Sequence, residues 1–256
     1  MGNEDVIFDF SDKNFLVVGA SSGIGRQIAI ELADAGGHVL AIARNEKRLN
    51  ELQAYSSNIT PKQLDVTTAE VCDWSSVLTD YVAEKGKLHG VVYTAGITGA
   101  TVLRCFDEVL AQRIMDTSYW GAIRCLQVTS KKKIVQQGAS FVLFASIAGI
   151  TGVKGLGTYS AAKSAVITAV KSFAHDLSKD LHRINSISPG LIDTDMSEQA
   201  EAEVGDLARI KARHLLGMGC TQDVSGMVLF LLSDRAKWIT GQNFVVDGGC
   251  MSGAWN

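Results

Sequence analysis

The sequence has few of the residues that mark disulfide-bonded, zinc-binding or fibrous proteins. Only two of its 256 residues are proline, and its five cysteines are widely spaced, without a C-x-x-C pair. This spacing excludes a disulfide framework and a structural zinc site, so we expect reduced thiols and no bound metal. The cysteines are Cys72, Cys105, Cys125, Cys220 and Cys250.

The sequence also lacks an excess of positive charge and long apolar runs. The formal net charge is -3, so neither nucleic acid nor an anionic membrane is expected as a partner. No apolar run reaches the roughly 18 to 20 residues of a membrane-spanning helix. The acidic start MGNEDVIFDF has neither the basic nor the apolar region of a secretion signal, and a cytoplasmic location is therefore expected.

What the sequence does contain is a regular alternation of short apolar segments with longer amphipathic ones. Nearly continuous apolar segments of strand length are typical of a parallel sheet that is buried on both faces. We predict a doubly wound α/β fold of the Rossmann type, with about seven parallel strands and helices on both faces, in a single domain over residues 1–256. Predicted strands include 15–18, 39–42, 91–93, 141–144, 184–187 and 244–246, and predicted helices are 24–35, 46–55, 68–85, 107–136, 158–181 and 221–233.

One segment, 191–219, interrupts this alternation. It is polar and helix-prone, and it follows Ser188-Pro189-Gly190. One interpretation is a substrate loop or lid, and the other is an irregular structural insertion. Sheets of this class bind ligands at the carboxyl ends of their strands, where this segment begins.

A glycine-rich turn joins the first predicted strand to the first helix. Its glycines let the backbone approach a pyrophosphate, while the helix N-terminus offers free N–H groups and a partial positive charge. The spacing G-x-x-x-G-x-G between a strand and a helix predicts a phosphate-binding turn of a dinucleotide site, and a merely tight turn is the alternative. Its candidate binding residues are Gly19, Ser21, Ser22, Gly23, Ile24 and Gly25.

The end of the second strand bears on the choice of dinucleotide. An acidic residue at this point typically binds the ribose 2′-hydroxyl, whereas an arginine accommodates a 2′-phosphate. Ala43 and Arg44 stand here, which favours NADP over NAD, although an arginine that begins a surface helix is also common. Asp65, followed by Val66, is expected either to accept a hydrogen bond from the adenine amino group of the cofactor or to cap the next helix.

A serine, a tyrosine and a lysine are the candidate catalytic residues. Ser146 follows the strand 141–144, and Tyr159 and Lys163 stand one turn apart on the next helix. A free tyrosine is a poor acid or base at neutral pH because its pKa is about 10. A lysine ammonium nearby is expected to lower that pKa, whereas a solvated pair on the helix surface is the alternative.

With these motifs in this order, the chain resembles the short-chain dehydrogenase/reductase family over nearly its whole length. Within that family it is most similar to the 3-oxoacyl-[acyl-carrier-protein] reductases, as in AGIT (95–98), PGLIDTDM (189–196) and the C-terminal VDGG. Other short-chain reductases share these stretches. The matching pieces are Gly19–Gly25, Arg44, Asp65-Val66, Ala95-Gly96, Ser146, Tyr159–Lys163, Asn185, Pro189-Gly190, Thr194 and Val246–Gly249.

The resemblance implies NADPH-dependent reduction of a ketone to a secondary alcohol, with a 3-oxoacyl thioester on acyl carrier protein as the substrate. Tyr159 would be the general acid, Ser146 would hold the carbonyl, and Lys163 would bind the nicotinamide ribose. The resemblance also implies a homotetramer or dimer packed through helices 107–136 and 158–181. The further cofactor contacts that it implies are Ala95, Gly96, Pro189, Gly190, Ile192 and Thr194.

Two positions depart from the family pattern. Ser118 stands where the family carries an asparagine that holds a water next to the lysine, and Tyr93-Thr94 replaces an asparagine pair. A serine hydroxyl still binds water but lacks an amide N–H, so we expect Ser118 to serve the proton relay in a modified form. Tyr93 is expected in the core, with Thr94 replacing part of the asparagine bonding.

Other functions compatible with the motifs are oxidation or reduction of a sugar, steroid or small alcohol, and nucleotide binding without turnover. A serine hydrolase is disfavoured because Ser146 lacks the flanking glycines of G-x-S-x-G. His175 and His214 are expected in surface or capping roles. A basic surface for an acidic carrier protein is expected from Lys131, Lys132, Lys133, Lys171, Lys179 and Arg183, although a solvated helix face would carry the same charges.

Overall fold

Seven parallel strands form one sheet in the computed structural model, which describes residues 8–198 and 207–252. The strands lie in the order β3-β2-β1-β4-β5-β6-β7, and the predicted doubly wound α/β fold is confirmed. Their bounds are β1 Asn14–Val18, β2 His38–Ala43, β3 Ile59–Gln63, β4 Leu88–Tyr93, β5 Val135–Phe144, β6 Arg183–Pro189 and β7 Asn243–Val246.

Helices cover both faces of the sheet. One layer packs on Ile28, Leu52 and Val228, and the opposite layer packs on Trp74 and Val166. Each such side chain contributes roughly 1.5–3 kcal/mol when fully buried. The helices are α1 Gly23–Asp34, α2 Glu46–Tyr55, α3 Val71–Lys85, α4 Glu108–Met115, α5 Gly121–Thr129, α6 Ala148–Thr151, α7 Gly157–Leu177, α8 Leu207–Ala212 and α9 Thr221–Leu232.

The long helix predicted over 107–136 was wrong. A π-helical turn, Asp116–Trp120, separates α4 from α5, and α5 ends at Thr129. Val135 then pairs with Leu88 in the sheet, so the apolar residues that resembled the last helical turn begin β5. A short apolar pair after three lysines fits either structure, and the pairing with β4 decides between them.

Two other helix boundaries differ from their predictions by three or more residues. The helix predicted from residue 68 begins at Val71, because Glu70 forms a capping box with Asp73. The helix predicted to reach residue 181 ends at Leu177. There the chain turns through a short 3₁₀ segment to Leu181, which has a left-handed φ of 60°.

The strand order places a crevice between β1 and β4. After β1 the chain winds outward through β2 and β3 and then returns to β4 on the other side of β1. Connections leave β1 and β4 in opposite directions, and such a reversal opens a ligand-binding crevice at the carboxyl ends of the strands. The two ends of segment 191–219 meet nearby, where Ile192 pairs with Gly219. Residues 199–206 of this segment lie outside the described residues.

Candidate active site

A cavity of about 740 Å³ follows the carboxyl ends of the central strands. It brings together most of the predicted site residues, although they come from distant parts of the chain. Among the described residues, the predicted ones that line the cavity are Gly19, Ser21, Ser22, Gly23, Ile24, Gly25, Arg44, Val66, Ala95, Gly96, Ser146, Tyr159, Lys163, Pro189, Gly190, Ile192 and Thr194.

The glycine turn lies at one end of this cavity and is packed too closely for larger residues. Gly19 has φ +88° and Gly23 has φ +51°, a left-handed conformation that favours glycine. A Cβ on Gly19 would lie 2.5 Å from Oγ1 of Thr94, and one on Gly25 would overlap the same hydroxyl. The first turn of α1 contains no acidic residue. Its N-terminal N–H groups therefore offer a site for an anion.

Thr94 joins the glycine turn to the crevice between β1 and β4. Its backbone N–H and its hydroxyl both donate to the carbonyl oxygen of Val18, each at 2.8 Å. Thr94 therefore ties the end of β4 to the end of β1, directly beside Gly19. That Thr94 replaces part of the asparagine bonding stays a prediction, and these two hydrogen bonds agree with it.

Two arginines stand where a 2′-phosphate is predicted to bind. Arg44 and Arg48 both line the cavity, and Nη1 of Arg48 lies 2.7 Å from Oδ2 of Asp195 in segment 191–219. The sequence motifs did not identify Arg48, which lies four residues after Arg44, in the first turn of α2.

Asp65 is not among the described residues that line the cavity. Its carboxylate accepts hydrogen bonds from the backbone N–H and hydroxyl of Thr67, within a turn that precedes α3. The helix-capping alternative was wrong, because Glu70 is the residue that caps α3.

The same cavity holds Ser146, Tyr159 and Lys163. Ser146 is the second residue after β5, and the two others project from the first turns of α7. Lys163 is only 4% exposed. Its Nζ donates to the carbonyl oxygen of Phe144 at 2.9 Å and lies 5.7 Å from the centre of the Tyr159 ring. The lysine is thus held below the phenol by the end of β5, and the alternative of a solvated surface pair does not apply.

Burial controls the ionisation of this pair. It raises the pKa of Tyr159, and the neighbouring Ser146 hydroxyl opposes this effect without reversing it. It also lowers the pKa of Lys163 to about 8. The expected lowering of the tyrosine pKa was therefore wrong in direction, because desolvation of the buried phenolate outweighs the lowering effect of the Ser146 hydroxyl. A phenol with a raised pKa stays protonated at neutral pH, which is the form that donates a proton.

Ser118 lies behind Lys163, in the π-helical turn. It is 1% exposed, and its hydroxyl has no hydrogen-bond partner among the described residues. A Cβ on Gly96 would lie 3.2 Å from Nζ of Lys163 and 3.4 Å from Oγ of Ser118. Both polar atoms therefore face Gly96 from nearby positions. An unpartnered buried hydroxyl so close to an ammonium is a suitable place for a bridging water.

Tyr93 supports the turn that carries Ser118. Its hydroxyl, at the end of β4, donates to the carbonyl oxygen of Thr117 at 2.8 Å. A Cβ on Gly121 would overlap that hydroxyl, so the absence of a side chain there lets the tyrosine reach the turn. Tyr93 is 2% exposed, and its predicted place in the core is confirmed. The two departures from the family pattern, Tyr93 and Ser118, are thus parts of one structural unit.

His214 also lines the cavity, although the sequence gave no reason to expect it there. It is 5% exposed, and its Nε2 accepts a hydrogen bond from the backbone N–H of Leu191 at 2.9 Å. The predicted surface role was wrong for His214, but its Nδ1 lies 2.9 Å from the carbonyl oxygen of Ile210 in the last turn of α8, which fits the predicted capping role. The predicted surface role is confirmed for His175, which is exposed. No motif marks His214, because its partner is a backbone group distant in sequence.

The chain is similar to known proteins over nearly its whole length. Residues 19–251 match a family model described as "Enoyl-(Acyl carrier protein) reductase". A solved short-chain type dehydrogenase/reductase from Mycobacterium ulcerans is similar, with a TM-score of 0.87 and 32% identity over 96% of this chain and 92% of that chain. The chain belongs to the short-chain dehydrogenase/reductase family. It is therefore an oxidoreductase of that family.

Three further similarities bear on what this short-chain dehydrogenase/reductase does. The "3-oxoacyl-[acyl-carrier-protein] reductase FabG" of Staphylococcus aureus is 32% identical over 244 residues, which cover 93% of this chain and 97% of that protein. The protein of the same name from Escherichia coli is 32% identical over 245 residues, with 94% and 98% covered. A structure described as "ElxO with NADP Bound" has a TM-score of 0.82 and 29% identity over 94% of this chain and 99% of that chain.

The basic surface predicted for this short-chain dehydrogenase/reductase includes one residue, Arg183, that is not on the surface. Arg183 is buried, and its guanidinium donates to the carbonyl oxygens of Leu231 and Ser233. It therefore stabilises β6 and α9 and does not belong to the surface. Lys132 remains exposed and pairs with Asp180 at 2.8 Å. Within residues 8–198 and 207–252, no helix combines the length and apolarity required to cross a membrane.

Proposed function

We propose that this chain reduces a ketone to a secondary alcohol with NADPH, and that its substrate is a 3-oxoacyl thioester on acyl carrier protein. The observation that carries the proposal is the joint placement of Ser146, Tyr159 and Lys163 in one cavity with the glycine turn. A hydroxyl to hold the carbonyl and a protonated phenol beside it are the groups that ketone reduction requires from a protein.

The residues that line the cavity support nicotinamide adenine dinucleotide phosphate as the cofactor. The glycine turn packs directly against Thr94, so side chains at Gly19 and Gly25 would displace it, and an anion beside the turn would meet the N-terminus of α1. Arg44 and Arg48 line the same cavity, suited to a 2′-phosphate, and so does Lys163. The bound NADP of the ElxO structure, at 29% identity, supports the same choice. When bound, the cofactor supplies the hydride.

The residues of this chain then supply orientation and a proton. Ser146 donates a hydrogen bond to the substrate carbonyl, and Tyr159 donates its phenolic proton to the developing alkoxide. The raised pKa of Tyr159 keeps that proton in place until the alkoxide forms. The Lys163 ammonium, held by the Phe144 carbonyl, then stabilises the phenolate that remains. A water between Lys163 and Ser118 then passes a proton from solvent toward the Tyr159 phenolate, which restores the phenol.

The substrate is proposed from the similarity to the two 3-oxoacyl-[acyl-carrier-protein] reductases. Exposed lysines near the end of α5, Lys131–Lys133, offer a surface for an acidic carrier protein. A cytoplasmic homotetramer or dimer is proposed on the same family grounds. Exposed apolar side chains before, in and after α4 support an oligomer, since such patches mark interfaces. They are Phe106, Val109 and Trp120.

The proposed substrate is tested by the oxidation of NADPH in the presence of 3-oxoacyl thioesters, sugars, steroids and small ketones. We expect the highest kcat/KM with 3-oxoacyl thioesters, and a further gain when the acyl group is carried by acyl carrier protein. A higher kcat/KM with a sugar or a steroid than with 3-oxoacyl thioesters would place the chain in another branch of the family. Binding of NADPH without turnover of any carbonyl compound would reject the reductase proposal.

Arg44 is predicted to select NADPH over NADH. Replacing Arg44 with alanine should weaken NADPH binding about 10- to 100-fold, because hydrogen bonds to charged groups contribute roughly 1.5–3 kcal/mol. NADH binding should change much less, because NADH has no 2′-phosphate. Both dissociation constants are measured by fluorescence titration. Lys47→Ala, which removes an exposed cation from the first turn of the adjacent helix α2, is the control. Equal losses for the two nucleotides would remove Arg44 from the 2′-phosphate site.

Ser118 is predicted to serve the proton relay. In the Ser118→Ala variant, which cannot bond a bridging water, we expect kcat to fall about threefold to tenfold, the equivalent of one neutral hydrogen bond. The pH–rate profile should change as well, and Ser118→Asn should retain most of the activity. Ser172→Ala, at an exposed position of α7, is the control. Identical profiles for wild type and Ser118→Ala would show that the position has no part in the relay.

A further inference from the structure

His214 occupies the point where the two ends of segment 191–219 approach each other. It follows α8, two residues after Ala212, and its ring is enclosed beside the exit of β6. A Cβ on Gly190 would lie 2.7 Å from Nε2 of His214 and 2.8 Å from Cα of Asp247. The imidazole therefore packs against the backbone that leaves β6, and only a residue without a side chain fits between it and Asp247.

The hydrogen bonds of the ring define its tautomer. Nε2 accepts from the N–H of Leu191, and Nδ1 lies 2.9 Å from the carbonyl oxygen of Ile210. A backbone N–H can only donate and a carbonyl can only accept, so the proton belongs on Nδ1. In this neutral form, His214 links the first residue of the segment to α8, near the other end of the segment.

Backbone pairing completes the same junction. The N–H of Asp193 donates to the carbonyl oxygen of Gly219 at 2.8 Å, and the N–H of Gly219 donates to the carbonyl oxygen of Leu191 at 3.1 Å. These bonds hold the base of the segment but leave the N–H of Leu191 itself without a backbone acceptor among the described residues. His214 supplies that acceptor. An N–H buried without an acceptor would otherwise destabilise this conformation.

We propose that His214 is a positioning residue that holds the start of segment 191–219 against the cavity wall. By fixing Leu191, it sets the position of Ile192 and Thr194, which line the cavity beside Gly190. The effect on catalysis rests on the proposed reductase function. The structural part of the inference, that the ring orders Leu191, does not.

Two substitutions separate the hydrogen bonds of the ring. His214→Gln places an amide oxygen near the position of Nε2 and is able to accept from Leu191. His214→Asn is shorter, so its amide reaches the position of Nδ1 and bonds Ile210 without reaching Leu191. The two variants share polarity and neutrality, and they differ in the bond under test.

Amide hydrogen exchange of the free protein, followed by NMR at neutral pH, gives the direct readout. In His214→Asn we expect the Leu191 amide to exchange roughly threefold to tenfold faster than in wild type, the equivalent of one neutral hydrogen bond, and in His214→Gln we expect near wild-type exchange. The amides of Gly190 and Asp193, which bond Val246 and Gly219, serve as internal references and should keep their rates in both variants.

Two results would overturn the proposal. One is equal Leu191 exchange in wild type and both variants. The other is a parallel rise at Gly190, Leu191 and Asp193, which would mean a general loosening of the fold and no specific role for the ring. A wild-type protein that turns over no ketone would reject the reductase function, while the exchange pattern would still decide the role of His214.

Kinetics extend the test to the working enzyme. With NADPH and the preferred ketone as substrates, His214→Asn should raise the KM for NADPH about threefold to tenfold with a smaller change in kcat. The reason is that the proposed effect is on the cavity wall at Ile192 and Thr194 and not on the proton donor. His214→Gln should restore KM. A loss of kcat alone, equal in both variants, would contradict a positioning role.

Discussion

Replacing Tyr159 with phenylalanine is expected to lower the rate of ketone reduction about 10²- to 10⁴-fold, the usual contribution of a positioned general acid. The substitution removes one hydroxyl from a ring that is otherwise packed along the cavity. Nucleotide binding should therefore persist, with a dissociation constant for NADPH close to that of wild type. The measurement pairs steady-state turnover with fluorescence titration of the same protein sample.

The matched control for this substitution is Tyr55→Phe. Tyr55 is 52% exposed on α2 and donates its hydroxyl to Asp34, away from the cavity. This variant should retain full activity. Turnover by Tyr159→Phe within a few-fold of wild type would mean that another group donates the proton. A loss of NADPH binding parallel to the loss of turnover would assign the tyrosine to binding alone.

Replacing Lys163 with methionine is expected to reduce the rate about 10²- to 10³-fold, comparable to the loss of a preorganised electrostatic group from an active site. Methionine keeps an unbranched apolar chain in this 4% exposed position, while it removes the charge and the hydrogen bond to Phe144. The phenolate of Tyr159 would then form without a neighbouring cation. Single-turnover rates at saturating NADPH measure this loss separately from weaker cofactor binding.

The Lys163 ammonium also predicts a pH dependence. Burial lowers its pKa to about 8, so the charged form is present below that pH and is lost as the pH rises through it. The reduction rate of wild type should therefore decline above about pH 8. The rate of Lys163→Met should lack this decline, while Lys171→Met, at an exposed position of the same helix, should behave like wild type. A wild-type decline that persists unchanged in Lys163→Met would assign it to another group.

Much of the fold follows from local sequence patterns. Continuous apolar segments such as Val39–Ile42 are buried on both faces of the sheet, and the glycine turn lies between a strand and a helix as predicted. The prediction failed over 107–136, where tertiary contacts decide the structure. The Tyr93 hydroxyl bonds a carbonyl of the π-helical turn, and Val135 pairs with β4. No periodicity within the segment encodes either contact.

The candidate site shows the same division. Sequence motifs identified Ser146, Tyr159 and Lys163 because each lies in a recognisable local pattern. They gave the wrong direction for the Tyr159 pKa, since the degree of burial depends on residues from the whole fold. They also missed His214, whose acceptor role depends on a backbone N–H that segment 191–219 brings back to it. Local patterns thus locate the reactive groups, whereas their ionisation and support depend on the tertiary structure.

Tyr159 is proposed to donate the proton as a hydride reaches the ketone carbon. The decisive measurement supplies NADPH with deuterium in the transferable position and a 3-oxoacyl thioester, and follows the product by mass spectrometry. We expect one deuterium on carbon 3 of a 3-hydroxyacyl product with wild type, and almost none with Tyr159→Phe while NADPH remains bound. Deuterium transfer by Tyr159→Phe at the wild-type rate, or no transfer by wild type to any ketone, would contradict it.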